Sequence, residues 1–265
     1  MNKDSGKAGT WPAKLFKTRL NHPPDWPAMI SGVAYAPFRP GQSPYKQIFP
    51  TRDQIREDLL LLRSMTRNIR TYSVEGTLMH IPELAEALGM NVTLGVWITE
   101  DETHNIEEIN AGIELANRYS SVQRLVLGNE VLFRDDVPID LLIHYLQTAR
   151  RAVNVPVSTS EIWTQWYETP ELVRHVDFIA AHILPFWEGV SALDASVIVL
   201  AHANELRARF PDKPLILSEI GWPSRAIAKR RMTTSDAEHS IYLRNQIPLL
   251  DQHGYDYYLR PALED

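Results

Sequence analysis

Gln123-Arg124-Leu125-Val126-Leu127-Gly128-Asn129-Glu130-Val131 is a short apolar run that breaks at a glycine and ends on a carboxylate. It is too short for an ordinary helix and reads as a buried strand over residues 123–128. Seven similar runs lie at 30–36, 68–73, 92–98, 155–160, 178–183, 215–218 and 255–259. The segments between them are longer and carry apolar residues three and four apart. Short buried strands alternating with helical segments are the mark of repeated βα units around a parallel sheet.

The helical segments carry their own start signals. Thr51 with Gln54, Asn105 with Glu108 and Ser235 with Glu238 have capping-box spacing, and Ile55, Leu59 and Leu62 fall on one helical face. Further helices are expected over 139–153 and 193–210. An open doubly wound sheet would normally place a glycine-rich phosphate turn after its first strand, and Tyr35-Ala36-Pro37-Phe38 is not one. The reading is therefore α/β, a (β/α)8 TIM barrel. An incomplete eighth unit stands beside the full barrel as an expectation, because only Arg260-Pro261-Ala262-Leu263-Glu264-Asp265 follow the last strand.

The 265 residues suit a single barrel, since such barrels run to about 250 residues as one unit. Residues 1–29, with Pro12, Pro23, Pro24 and Pro27, read as an irregular N-terminal arm, and 30–265 as a single catalytic domain. The polar start lacks the apolar stretch of a secretion signal, so the protein stays inside or a targeting segment has been removed. With 44% hydrophobic residues but no uninterrupted apolar run of membrane-spanning length, no integral membrane segment is expected. A net charge of -6 with scattered basic residues argues against a nucleic-acid partner. The absence of cysteine rules out disulfides and thiolate chemistry, and leaves the compartment open. The nine histidines include no His-x-x-x-His pair, so neither a metal nor a cofactor is expected.

Barrel enzymes carry their chemistry at the C-terminal ends of the strands. Glu130 ends the fourth strand and Glu219, in Leu215-Ile216-Leu217-Ser218-Glu219-Ile220-Gly221-Trp222-Pro223, ends the seventh. Carboxylates there can face each other across the barrel mouth, as glycoside hydrolysis requires: one attacks the anomeric carbon while the other protonates the leaving oxygen. The acid is expected to have a raised pKa, from partial burial and the neighbouring carboxylate. The bland reading of either glutamate is an ion pair with a rim arginine. Trp97, Trp163, Trp166, Trp187 and Trp222 fall at or just after strand ends, and Tyr35 and Tyr72 do likewise. Together they suggest platforms for sugar rings, although any single one could as well be packing. Asn129, Glu161, His182 and Glu188 supply polar partners for sugar hydroxyls, with a satisfied core histidine the stronger reading of His182.

Gly128-Asn129-Glu130-Val131 and Ser218-Glu219-Ile220-Gly221-Trp222-Pro223-Ser224 resemble the two signature motifs of glycoside hydrolase family 17. Gly32-Val33-Ala34-Tyr35, Ile69-Arg70-Thr71-Tyr72, Leu94-Gly95-Val96-Trp97, Val157-Ser158-Thr159 and His182-Ile183-Leu184-Pro185-Phe186-Trp187-Glu188 match in order. The resemblance implies a retaining double displacement on β-1,3-glucan oligosaccharides, with Glu130 as acid/base and Glu219 as nucleophile. Within the family, the short loops look like the bacterial branch, in which transfer is as expected as hydrolysis, and a periplasmic or extracellular-facing location is implied. Bacterial relatives continue the eighth strand into a stretch resembling Phe-Asp-Gln-Pro-Trp. Here Leu259 is followed by Arg260-Pro261, which reads as a trimmed or altered end and leaves closure and one cleft wall for the structure to decide. The alternatives are a non-catalytic β-glucan-binding barrel and, from another class, an inherited scaffold that binds no carbohydrate. Oligomeric state is not legible.

Overall fold

The computed structural model describes residues 27–224 and 234–260. Eight parallel strands close into a barrel in sequence order: β1 (Val33–Ala34), β2 (Asn68–Arg70), β3 (Asn91–Val96), β4 (Val122–Asn129), β5 (Val157–Ile162), β6 (Ile179–Ile183), β7 (Leu215–Ile220) and β8 (Asp256–Leu259). Closure, which the sequence left open, is made by β8. Leu259 pairs with Val33 of β1 on one side and Ile220 of β7 on the other. The helices are α1 (Arg52–Leu62), α2 (Ile81–Ala87), α3 (Glu102–Arg118), α4 (Ile139–Ala152), α5 (Trp163–Glu168), α6 (Ala195–Arg209) and α7 (Asp236–Gln252). An eighth helix would fall after residue 260, outside the described residues. The irregular arm expected over 1–29 also lies outside them, except for its last three residues.

The capping boxes at Thr51/Gln54 and Ser235/Glu238 form and start α1 and α7. The one expected at Asn105/Glu108 does not. Asp101 caps α3, accepting hydrogen bonds from the backbone of Thr103 and His104. Asn105 and Glu108 lie one turn inside that helix, buried, and serve the barrel instead. Asn105 ties Thr99 through both its amide nitrogen and oxygen. Glu108 accepts from the backbone of Trp97 and Val74 and from the Ser73 hydroxyl, so it holds the β2 and β3 ends together. A buried polar residue on the inward stripe of a helix gives the same spacing as a cap.

Two layers of side chains fill the structure. Residues facing out from the strands, among them Ile69, Leu94, Leu125, Leu127 and Leu217, pack under the helices with Ile55, Leu59, Leu142, Leu146, Val199 and Ile247. Inside the barrel, Ala34, Val126, Phe178, Ala180, Ile216 and Tyr258 form a separate cluster. The Tyr258 hydroxyl meets Thr93 Oγ1 at 2.7 Å across the interior, and its ring passes where a Cβ on Gly32 would stand.

The two strands that end in carboxylates are both irregular. On β7, Leu217 pairs with Ala181 and Glu219 with the next residue of β6, His182, so Ser218 is an extra residue in the ladder. On β4, three steps from Val126 to Asn129 oppose two on β5 from Ser158 to Ser160, and Gly128 sits there at φ 86°. Strand side chains alternate faces, and an inserted residue reverses the alternation. Without these bulges Glu219 and Asn129 would point to the helices. With them, both point into the barrel mouth.

Gly95 permits the close approach of β2 to β3, since a Cβ there would stand 2.2 Å from the Thr71 carbonyl oxygen and 2.6 Å from Tyr72 Cα. Both obstacles are backbone and cannot swing aside. Gly95→Ala is expected to lower unfolding stability by about 2–3 kcal/mol, read by urea denaturation. An unchanged midpoint would show that β2 yields freely.

Candidate active site

At the C-terminal mouth of the barrel, one arginine joins three strands. Arg70, on β2 with its side chain 1% exposed, donates from Nη1 to Glu219 Oε1 at 2.7 Å and from Nη2 to Asn129 Oδ1 at 2.7 Å. The Tyr72 hydroxyl donates to the same Glu219 Oε1 at 2.7 Å, and the Arg70 guanidinium lies 4.5 Å from the Tyr72 ring centre. Arg260, directly after β8, donates to Glu219 Oε2 at 3.2 Å. Burial alone would push the Glu219 carboxyl up. Instead the positive charges of His182, Arg260 and Arg70, with the Tyr72 hydrogen bond, hold it well below the usual carboxylate range.

Glu130 emerges from the β4 bulge with φ 57°, in the left-handed region that a residue with a Cβ enters at a cost of about 1–2 kcal/mol. Its backbone N–H donates to the Ser160 carbonyl, and the following turn is tied down from two sides. Arg134 binds Asp136, the Ile98 carbonyl and the Asn129 carbonyl, while stacking 4.5 Å from the Trp97 ring centre. Glu161 accepts from the backbone N–H groups of Leu132 and Phe133.

His182 stands between the two carboxylates. Its Nδ1 is 2.7 Å from Glu130 Oε1 and its Nε2 is 3.8 Å from Glu219 Oε1. It is buried, as the core-histidine reading has it, and its hydrogen bond is made to Glu130 at the barrel mouth. The expected raised acid pKa is not found in this resting arrangement. Burial and the Glu219 charge do raise the Glu130 carboxyl, but the hydrogen bond and charge of His182, with the charge of Arg260, outweigh them, and its pKa is lowered.

Several expected sugar contacts lie elsewhere. Tyr35 is 1% exposed and sits on the helix side of the barrel, its hydroxyl bonded to Asp58 of α1, because it follows the inward Ala34. Trp166, on the inner face of α5, is fully buried and donates to the Ala180 carbonyl. Glu161 is fully buried and committed to the loop backbone, so it is not a sugar ligand. Trp222 is buried, packed against Phe186 and Tyr242. Trp163 stacks on His202 with ring centres 3.7 Å apart and donates to Glu188, which ties those two expected ligands to each other. Trp187, 54% exposed, and the half-buried Trp97 and Tyr72 remain at the rim. In the sequence Arg70 stands only within the motif Ile69-Arg70-Thr71-Tyr72. Its signal was a charged residue in an apolar strand, two positions before Tyr72 and so on the same face. No group of three His, Asp or Glu side chains suited to a metal ion occurs among the described residues.

A closed parallel barrel with two carboxylates at the ends of β4 and β7, one held ionised and the other hydrogen-bonded to an imidazole, defines a glycosidase-type active site of the barrel class. The BtgE/BtgC glycoside hydrolase domain family matches residues 32–265, and the chain belongs to that family. It is 27% identical over 79% of its length to the probable glucan endo-1,3-β-glucosidase btgC of Aspergillus terreus, and 24% identical over 74% to glucan endo-1,3-β-glucosidase btgC of Emericella nidulans. The chain spans about a third of the length of these relatives, 34% and 33%. Among solved structures, the glycoside hydrolase family 17 β-1,3-glucanosyltransferase of Rhizomucor miehei superposes with a TM-score of 0.76 at 26% identity, covering 87% of this chain and 85% of that one. An active-site mutant of that enzyme with laminaritriose matches equally, at a TM-score of 0.76. The family 17 resemblance thus holds, although these relatives are fungal where the loops suggested the bacterial branch.

The Glu161 carboxyl is pushed up to about 7 by burial, which its two backbone hydrogen bonds only partly offset. The folded state then holds a proton that the unfolded chain releases near pH 4.3. The resulting stability is full below that pH and is lost as pH rises through about 7. Wild type should therefore lose stability relative to Glu161→Gln between pH 5 and 8, read by chemical denaturation at each pH. Parallel curves would refute it.

Proposed function

We propose that the chain is a single catalytic domain, residues 30–265, that cleaves and transfers β-1,3-glucan oligosaccharides by a retaining double displacement. The observation that carries the reading is the unequal treatment of two facing carboxylates. Glu219 is clamped in its ionised form by two arginines and a tyrosine, which suits a nucleophile. Glu130 shares a hydrogen bond with His182, which suits a group that gives up a proton and takes it back. Family membership and the likeness to a β-1,3-glucanosyltransferase support the substrate class.

In the first step Glu219 attacks the anomeric carbon. The glycosidic bond breaks toward its oxygen, and Glu130 supplies that oxygen with the proton held in the His182–Glu130 hydrogen bond. A sugar in the cleft displaces water and raises the cost of a charged Glu130 further, which moves the shared proton onto the carboxyl. In the second step Glu130 takes a proton from water or from a sugar hydroxyl, and the glucosyl-Glu219 ester is released as glucose chain or longer glucan. Trp187, Trp97 and Tyr72 offer ring surface, and Asn129 an amide, for the sugar chain. Trp163, Glu188 and Trp222 shape the wall behind them. Placement outside the cytoplasm, periplasmic or extracellular-facing, agrees with a polymeric glucan as substrate. No helix among the described residues is long and apolar enough to cross a membrane.

Mass spectrometry of products from an end-labelled β-1,3-gluco-oligosaccharide tests the function. Products longer than the donor mean transfer, and shorter ones alone mean hydrolysis. An unchanged oligosaccharide that nevertheless binds would make the chain a binding barrel and sink the proposal. Glu219→Ala is expected to abolish turnover, with a loss on the order of 10⁴-fold or more. Glu130→Ala is expected to lose about 10²–10⁴-fold on natural glucan and far less on aryl glycosides whose leaving groups need no proton. Equal loss on both substrate types would reverse or void the two roles.

A further inference from the structure

The two oxygens of Glu219 are not equivalent. Oε1 accepts from Arg70 and from Tyr72 and is turned toward His182, so its lone pairs are committed to the protein. Among the described residues, Oε2 accepts a hydrogen bond only from Arg260. An oxygen held by two short bonds cannot swing onto an anomeric carbon without losing both. Oε2 is the atom left for attack, and the Arg260 guanidinium rests on it.

Arg260 is placed there by backbone rather than by chance. Its N–H donates to the Ile220 carbonyl at 2.8 Å, which extends the β7–β8 ladder one step past the strand. Gly221 faces it without a side chain; a Cβ there would stand 3.2 Å from Arg260 Cβ and from its carbonyl oxygen. The guanidinium keeps 29% exposure against 2% for its glutamate partner, so it approaches from the open side, beside Trp187 and Trp222. Arg70 comes from below and is buried. One arginine therefore fixes the carboxylate in place, and the other meets its reacting atom.

The geometry assigns Arg260 as a further catalytic residue, one that binds the leaving carboxylate oxygen of the second step and so sets the lifetime of the covalent intermediate. This rests on Glu219 being the nucleophile. In the first step Oε2 forms its bond to the anomeric carbon, the bond from that carbon to the glycosidic oxygen breaks, and the glycosidic oxygen of the departing sugar takes the electron pair and a proton from Glu130. The ester oxygen no longer carries a full charge, so the ion pair between Arg260 and Oε2 is weakened. In the second step a water or sugar hydroxyl oxygen bonds to the same carbon and passes its proton to Glu130. The carbon–Oε2 bond breaks, and its electron pair returns to Oε2. Negative charge reappears on the atom that Arg260 faces, and a positioned cation stabilises such developing charge most. Arg260 therefore favours the free carboxylate over the ester. It slows formation of the intermediate and speeds its breakdown, whichever acceptor resolves it.

The test uses the whole chain with an activated aryl β-1,3-gluco-oligosaccharide, whose good leaving group keeps the first step fast. Arg260→Gln is expected to lower kcat about tenfold, to leave kcat/KM level or raised, to give a pre-steady-state burst of the aryl group, and to show a glycosyl adduct by intact-protein mass. Arg260→Lys, which keeps a charge and the backbone bond, is expected to restore breakdown in part. Ethylguanidinium below denaturing concentrations is expected to speed decay of the adduct in Arg260→Ala. Parallel loss of kcat and kcat/KM without an adduct, or kinetics indistinguishable from wild type, would overturn the assignment. Continued turnover by Glu219→Ala would instead overturn the nucleophile on which it rests, so the two failures are distinguishable.

Discussion

The buried fork of Arg70 is the constraint on which the barrel mouth depends. A guanidinium and a carboxylate, each almost without solvent contact, are brought together from β2 and β7. The second arm of the same planar group reaches Asn129 on β4. Removing one partner from such a pair costs about 3–5 kcal/mol, because it strands the other charge without water. A fold that contains this pair must therefore keep three strand ends in register, and the planar fork specifies angles as well as distances. The irregularities around it follow. The inserted Ser218 turns Glu219 inward to meet the fork, and the bulge at Gly128 does the same for Asn129, leaving Glu130 in a left-handed turn that Arg134 and Glu161 brace. Backbone strain sits next to the chemistry and is offset by hydrogen bonds on the surrounding loop.

From that arrangement the two carboxylates acquire different chemistry without differing in residue type. Both are mostly buried, and burial raises both; what surrounds them decides the outcome. Glu219 faces cations on several sides and a phenol. Glu130 faces one imidazole, which also looks toward Glu219. The charge on Glu219 thus reaches the Glu130 side of the cleft through a single buried ring, and in the proposed mechanism loss of that charge on ester formation would change the environment of His182 and Glu130 together. A barrel lets residues far apart in sequence meet in this way because its strand ends all open at one rim.

Strand order, strand count and the two glutamates were legible in the sequence because apolar runs of strand length must be buried, and a carboxylate at the end of such a run stands out. Strand ends were less legible. The seventh strand continues two residues past the expected limit at 218 and carries Glu219 inside it, since a bulge leaves no trace in apolarity unless a glycine marks it. Gly128 was such a mark. Proximity to a strand end points Tyr35 to the cleft, whereas alternation from the inward Ala34 puts it under α1. Glu161 and the Asn105–Glu108 pair show a related ambiguity: a polar residue near the mouth can serve sugar, cap a helix or satisfy a loop's backbone, and spacing alone does not separate these uses. Arg70 could have been found by the same alternation, as an inward charge that requires an inward partner. Arg260 stood out only as a departure from the family's pattern, and its partner became visible with the closed barrel.

The central claim is that the clamped carboxylate of Glu219 bonds covalently to the sugar. It is tested most directly by trapping wild type with a 2-deoxy-2-fluoro β-1,3-gluco-oligosaccharyl fluoride, then digesting the protein and mapping the label by tandem mass spectrometry. The account predicts one equivalent of label, on Glu219, with loss of activity in step with labelling. A label on Glu130 or any other residue, or full turnover of natural glucan with no labelling at all, would contradict it.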